Sequence, residues 1–189
     1  MAENKKVKWS IEADYFQACN CDYGCPCEFE APPTPGYCEG MGAWKIKKGQ
    51  RLITNCGLAP MGWGLPAAVG AAFATGGRIL LITGEGGLMM NIQELATVMH
   101  HKLNIKIFML NNGGYATIKQ TQELGFEGRL MMVNKDSGLS FPNFRHVDNF
   151  FGIRTTKLKS HDMIPLQFFG VFNHNKPHLC EVILDPDQS

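Results

Sequence analysis

The chain has 189 residues, 44% hydrophobic and 19% charged, the makeup of an ordinary globular protein long enough for one full domain and a small appendage. A formal net charge of +1 supplies no broad basic footprint for nucleic acid. No apolar run is long enough to span a membrane, and the start, Met1-Ala2-Glu3-Asn4-Lys5-Lys6, lacks the apolar core of a signal peptide, so a cytoplasmic protein is expected.

Residues 1–50 differ from the rest. Five of the seven cysteines fall here, around Cys19-Asn20-Cys21-Asp22-Tyr23-Gly24-Cys25-Pro26-Cys27, with Cys38 further on. Trp9, Ile11, Ala13 and Tyr15 alternate with polar residues, which predicts a strand, and Ala43 to Ile46 predicts another. Pro32, Pro33 and Pro35 rule out regular structure between them. Cys19, Cys21, Cys25 and Cys27 form two Cys-x-Cys pairs whose thiolates could hold a soft ion, zinc or cuprous copper. The pairs are tighter than the usual Cys-x2-Cys, and reduced thiols in a loop or structural disulfides are the alternatives. The wording W-x-I-x-A-x-Y-F, CNC, CPC resembles the opening of a small bacterial cysteine-rich family of unknown function; that resemblance ends near Gln50. Cys56 and Cys180 stand alone and read as core residues.

From Gly62 to Ala74 the residues are small and apolar, with Pro66 suited to a first helical turn, so a helix packed closely on a sheet or a partner is expected. Gly76-Gly77 end it. Two short branched runs follow, Ile79–Thr83 and Ile105–Leu110, each bounded by glycine and read as a buried strand. Between them Ile92, Leu95, Ala96, Met99 and Leu103 recur at helical spacing, predicting a helix that starts near Asn91 after a Gly-rich loop. This is a βαβ unit with parallel strands, so its two polar tips, Gly84-Glu85-Gly86-Gly87 and Asn111-Asn112-Gly113-Gly114, share the carboxyl edge of the sheet, where such sheets bind ligands. Glu85 offers a carboxylate, Asn112 an amide oxygen, and the glycines open backbone. That donor set suits a hard cation such as magnesium together with a diphosphate.

Further on, Tyr115–Gln122 reads as a helix and Glu123–Phe141 as a long loop, either a lid or a passive connection. Asn143–Phe151 predicts a helix with Phe144, Val147, Phe150 and Phe151 inward and Gly152 as its stop. Ile153–Leu158 reads as a strand, Asp162–Phe172 as a helix, and Leu179–Leu184 as a last strand closed by Pro186. The histidines, His100-His101 included, lie in no metal or triad spacing and read as surface or core polar groups; the Met89-Met90 and Met131-Met132 pairs read as packing. The architecture expected is α/β, an open parallel sheet with helices on both faces, plus a small irregular cysteine-rich β segment. The domains expected are 1–50 and 51–189.

The Gly-acid-Gly tip and the Asn-Asn tip, with Glu85 and Asn112 27 residues apart (112 − 85), resemble the thiamine-diphosphate motif of the acetolactate synthase family. Asn55-Cys56-Gly57-Leu58-Ala59-Pro60-Met61-Gly62, Leu65-Pro66-Ala67-Ala68 and Asn91-Ile92-Gln93-Glu94-Leu95 extend the resemblance over Arg51 to the C-terminus, about three quarters of the chain. It implies magnesium held by Glu85, Asn112 and the Gly114 carbonyl. It also implies thiamine diphosphate bound by Ala59, Met61, Gly86, Gly87, Met90, Asn112, Gly114 and Tyr115, with Met61 wedged between the cofactor rings. Glu85 departs from the aspartate more usual there. In that family another domain supplies the glutamate that protonates the aminopyrimidine, and none precedes Arg51. The expectation is therefore cofactor binding as part of an enzyme acting on 2-oxo acids, completed by a separate subunit or within a homo-oligomer. The alternative is a non-catalytic cofactor-binding or oligomerising fragment with a cysteine-rich metal or redox appendage.

Overall fold

The computed structural model describes residues 49–55 and 59–186. The chain divides into two compact units, Met1–Ala59 and Pro60–Ser189. The described residues of the first unit form no helix or strand. The strands expected at Trp9–Tyr15 and Ala43–Ile46, and the cysteines Cys19, Cys21, Cys25, Cys27, Cys38 and Cys56, lie outside the described residues.

The second unit is α/β. In chain order it runs α1 (Gly64–Thr75), β1 (Ile79–Gly84), α2 (Glu85–Met89), α3 (Glu94–His100), β2 (Ile105–Asn111), α4 (Ala116–Gly125), α5 (Val147–Phe151), β3 (Arg154–Leu158), α6 (Ile164–Phe172) and β4 (His178–Ile183). The four strands form one sheet in the order β1-β2-β4-β3, every neighbouring pair parallel. The register sets Ile79 against Ile105 and Gly84 against Leu110, which brings the ends of β1 and β2 side by side.

Each face of the sheet carries its own core. On one, Leu65, Ala68 and Ala72 of α1 pack with Leu88, Leu95, Val98 and Val147 against Leu81, Ile105, Ile107, Met109 and Leu179. The small residues of α1 allow the close approach expected of them: a Cβ on Gly64 would sit 3.1 Å from Leu81 Cδ1. On the other face Val171 of α6 meets Phe108, Leu158 and Cys180. β2 is central and buried on both sides, which is why it reads as an apolar run.

Four expectations need correction. There is no Gly-rich loop before the helix: the chain turns helical at Glu85 itself, and a second helix begins at Glu94. Between them the backbone closes short three-residue turns, Asn91 N–H to Leu88 O, Glu94 N–H to Asn91 O and Leu95 N–H to Ile92 O. That tighter winding shifts the helical phase, so Val98 points inward and Ala96 and Met99 are exposed. The same cause turns Phe150 outward, 82% exposed: Phe144–His146 winds as a 3-10 helix ahead of α5, leaving Phe144 and Val147 in the core and Phe150 beyond it. β1 is buried on one face only, with Leu80 and Ile82 52% and 41% exposed. Among the described residues it is an edge strand, and the aromatic side chains of α6 reach Phe108 of β2.

Candidate functional site

The site is built where β1 and β2 end. Gly84 stays extended (φ −77°, ψ 160°), and Glu85 is the first residue of α2, 2% exposed. Its carboxylate reaches across to the tip of β2, where Oε1 accepts the Gly114 N–H at 2.9 Å. Asn112 Oδ1 accepts the same N–H at 3.2 Å. Two residues far apart in sequence thus share one backbone hydrogen, because the parallel register places their strands level. Burial pushes the Glu85 carboxyl above its ordinary range, while the amides of Glu85, Gly114, Gly113 and Asn112 pull it back. A carboxyl in that position favours a cation that restores its charge.

Around this acid the glycines allow close contact. The Tyr115 ring, with Cδ1 at 2.8 Å, and the Met61 methyl, at 2.9 Å, occupy the space a Cβ on Gly86 would need. At Gly87 the neighbour is Thr83 Oγ1, 3.1 Å from such a Cβ. Gly62 takes a left-handed φ of 92° with Met90 Cβ and the Asn91 amide against it, and Asn91 Nδ2 donates to Gly62 O at 2.6 Å. That bond ties the Met61-Gly62 turn to the segment after α2. Gly114 lies against the Val133 carbonyl, which accepts the Tyr115 N–H at 2.8 Å, and it forms an antiparallel bridge with Asn134. The Ser137 hydroxyl accepts the N–H groups of Val133 and Asn134 at 2.9 and 3.0 Å. The middle of the expected lid or connection is therefore anchored on the β2 tip.

Of the residues singled out from sequence, the fold brings Met61, Glu85, Gly86, Gly87, Met90, Asn112, Gly114 and Tyr115 to one neighbourhood. Ala59 is the last residue of the first unit, with φ 40°. Cys19, Cys21, Cys25 and Cys27, with their zinc or copper, lie outside the described residues. Among the described residues no three His, Cys, Asp or Glu side chains cluster to hold a metal. A Glu85, Asn112 and Gly114 carbonyl set is a different kind of site, oxygen-only and part backbone, and it fits magnesium with a diphosphate filling the rest of the shell. Asn91, Asn134 and Ser137 were not singled out as site residues; their side chains hold backbone from distant segments, a role without a local signature.

A second polar group sits at the opposite, amino edge of the sheet. Lys106, fully buried, donates to the carbonyl of His174 at 2.9 Å and to that of Lys176, and lies 3.2 Å from His174 Nδ1. His174 Nε2 meets His178 Nδ1 at 3.2 Å, and His178 Nε2 meets Thr156 Oγ1 at 3.2 Å. Burial, with Arg78 nearby, lowers Lys106 to about 8; burial, with His174, Arg154 and Lys106, lowers His178 to about 4.

Residues 36–182 match the model of the thiamine pyrophosphate enzyme C-terminal TPP binding domain. The chain belongs to that family. It is 33% identical over 147 residues to the acetolactate synthase isozyme 1 large subunit of Escherichia coli K12, a stretch covering 77% of this chain and 26% of that protein. Over 137 residues it is 34% identical to the isozyme 2 large subunit of the same organism, covering 72% and 24%. Among solved structures, the thiamine diphosphate-dependent 4-hydroxybenzoylformate decarboxylase of Rhodococcus jostii RHA1 matches with a TM-score of 0.61 and 26% identity, over 68% of this chain and 24% of that one. The chain spans about a quarter of the length of the curated relatives it matches. The family match opens at Gly36, ahead of Arg51. No helix among the described residues is long and apolar enough to cross a membrane.

Proposed function

We propose that the second unit of this TPP-binding chain holds magnesium through Glu85, Asn112 and the Gly114 carbonyl. In this reading the backbone of Gly86 and Gly87 holds the diphosphate of thiamine diphosphate, with Met61, Met90 and Tyr115 beside its rings. The observation that carries it is the Glu85–Gly114 hydrogen bond, which joins the acid of one strand tip to the Asn-Asn-Gly-Gly tip of the next at the ligand-binding edge of a parallel sheet. When bound, the cofactor supplies carbanion-stabilising chemistry beside a carbonyl. The chain's own part is to anchor the diphosphate end, fix the metal and hold Met61 and Tyr115 against it.

The relatives named as acetolactate synthase large subunits, and the decarboxylase named for an arylglyoxylate, support 2-oxo acids as the substrate class. We assign the acid that faces the aminopyrimidine to a domain other than this one. General acid–base help of that kind is commonly worth about 10² to 10⁴ in rate. These 189 residues are expected to bind thiamine diphosphate with magnesium in titration calorimetry and to consume pyruvate negligibly, gaining turnover when a domain carrying that acid is supplied. Unchanged binding in Asn112→Ala, or in the presence of a chelator, overturns the metal assignment. Robust pyruvate turnover by these residues alone that disappears in Glu85→Ala overturns the assignment of that acid to another domain.

A further inference from the structure

Beyond the tip of β2, on the side away from Glu85, lies a cavity of about 880 Å³. It is bounded by Asn111 at the end of β2, by Thr155–Lys157 of β3, by Leu179 and Glu181 of β4, and by the segment from Leu139 to Arg145. Its volume is that of a small-molecule site. On its floor Glu181 is nearly fully buried, and both carboxylate oxygens are engaged: Asn111 Nδ2 donates to Oε1 at 2.7 Å, and Lys157 Nζ lies 3.0 Å from Oε2. The single negative charge of the floor is thereby already matched by Lys157.

The remaining charge on the wall is all of one sign. Lys135, Arg145 and Lys159 line the cavity, are exposed, and have no carboxylate within ion-pair distance among the described residues. Three cations around one concavity focus positive potential into it and concentrate anions there. Ammonium and guanidinium groups together suit an oxyanion that accepts several charge-assisted hydrogen bonds. We propose that this cavity is a second binding site, for a small organic dianion, either a phosphate monoester or a dicarboxylate. Lys135, Arg145 and Lys159 contact the charged groups, and the Asn111–Glu181–Lys157 set forms a rigid floor.

The site stands apart from the cofactor reading. None of its three rim cations touches Glu85, and it is open to test without thiamine diphosphate or magnesium. It does adjoin the cofactor edge: Asn111 Oδ1 accepts the Gly113 N–H at 3.0 Å, one residue before the amide that Glu85 holds.

The test is an amide NMR titration of the full chain, with chelator present and no cofactor, using phenyl phosphate in one arm and succinate in the other. Saturable shifts at Gly113, Lys135, Ser140 and Lys157 are expected in at least one arm, and the arm that saturates identifies the class. The triple variant Lys135→Gln, Arg145→Gln, Lys159→Gln should lose at least about tenfold in affinity, and Glu85→Ala should stay within about twofold. The three positions are exposed, and the spectrum of the triple variant shows directly that it folds. Saturation in neither arm overturns the proposal. So does a response abolished by Glu85→Ala and kept by the triple variant, which would place the anion in the diphosphate site.

Discussion

The two edges of the sheet each bury a charged residue, and they treat it in opposite ways. At the amino edge Lys106 is surrounded by acceptors from its own chain: two carbonyls of the turn after α6 and a histidine that leads on to His178 and Thr156. Every group there completes another. At the carboxyl edge Glu85 is just as deeply buried, but only backbone N–H groups offset the burial, and its carboxyl remains pushed above the ordinary range. A self-satisfied cluster stabilises the fold; an acid buried at a cost to the fold is the kind of group that the proposed metal site requires.

The comparison breaks most directly at Lys106. Lys106→Ala leaves the carbonyls of His174 and Lys176 short of a donor inside the protein and removes a buried stem, so it should cost about 3 kcal/mol or more. Urea denaturation reads that loss. A near-neutral result would mean that the turn after α6 finds other donors and that the amino edge is not a structural cluster.

Acid sharpens the same edge. His178 titrates at about 4 in the fold against an ordinary value of 6.5, lowered first by burial and then by the neighbouring His174, Arg154 and Lys106. Between those two values the unfolded chain binds a proton that the native chain refuses. The contribution of neutral His178 is therefore complete above pH 6.5 and is lost as the pH falls toward 4, by on the order of 3 kcal/mol. Stability measured across that window in the native chain and in His178→Gln should show the slope flattened in the variant. Equal slopes would assign the acid sensitivity elsewhere.

Glu85→Gln should behave in the reverse sense. It removes a carboxyl that burial disfavours while keeping the shape and the oxygen that accepts from Gly114, so the thermal midpoint should hold or rise by the equivalent of about 1 kcal/mol. Cofactor binding with magnesium should fall about a hundredfold. A drop in stability as large as that of Lys106→Ala would erase the distinction between the two edges.

These edges were unequally legible in the sequence. The carboxyl edge could be read because strand ends there carry a compact vocabulary: an acid between glycines, two asparagines before glycines, and a spacing that fits one βαβ crossover. Gly84 and Leu110 pair in the structure as that crossover requires. The amino edge could not, because Lys106, Thr156, His174 and His178 come from three separate strands and a turn; the one local sign is a lysine inside the run Ile105–Leu110. The same limit explains the rim cations Lys135, Arg145 and Lys159, which only the pairing of β3 beside β4 and the course of the segments before and after β3 bring together. Phe150 and the Ala96–Met99 stripe failed for a different reason: a single 3-10 turn resets a helical phase, and an ideal 3.6-residue count carries no record of it.

The smallest effect expected is also the finest probe of the acid. Glutamate stands at position 85 where the resembled family more usually has aspartate, and its extra methylene carries the carboxylate outward by roughly 1.5 Å. In this structure that reach is spent on Gly114, whose N–H lies 2.9 Å from Oε1. Glu85→Asp draws the carboxylate back toward α2 and releases that N–H, at a cost near 1 kcal/mol in stability. Magnesium tolerates little error in ligand distance, and a carboxylate no longer tied to the β2 tip is free to meet it. Thiamine diphosphate with magnesium should therefore bind Glu85→Asp more tightly than the native chain, by a factor of about three to ten, equivalent to roughly 1 kcal/mol. Titration calorimetry on the two proteins decides it. Weaker binding in the aspartate variant would show that the Glu85–Gly114 bond is itself part of the metal site, with the longer side chain and the glycine tip matched to each other.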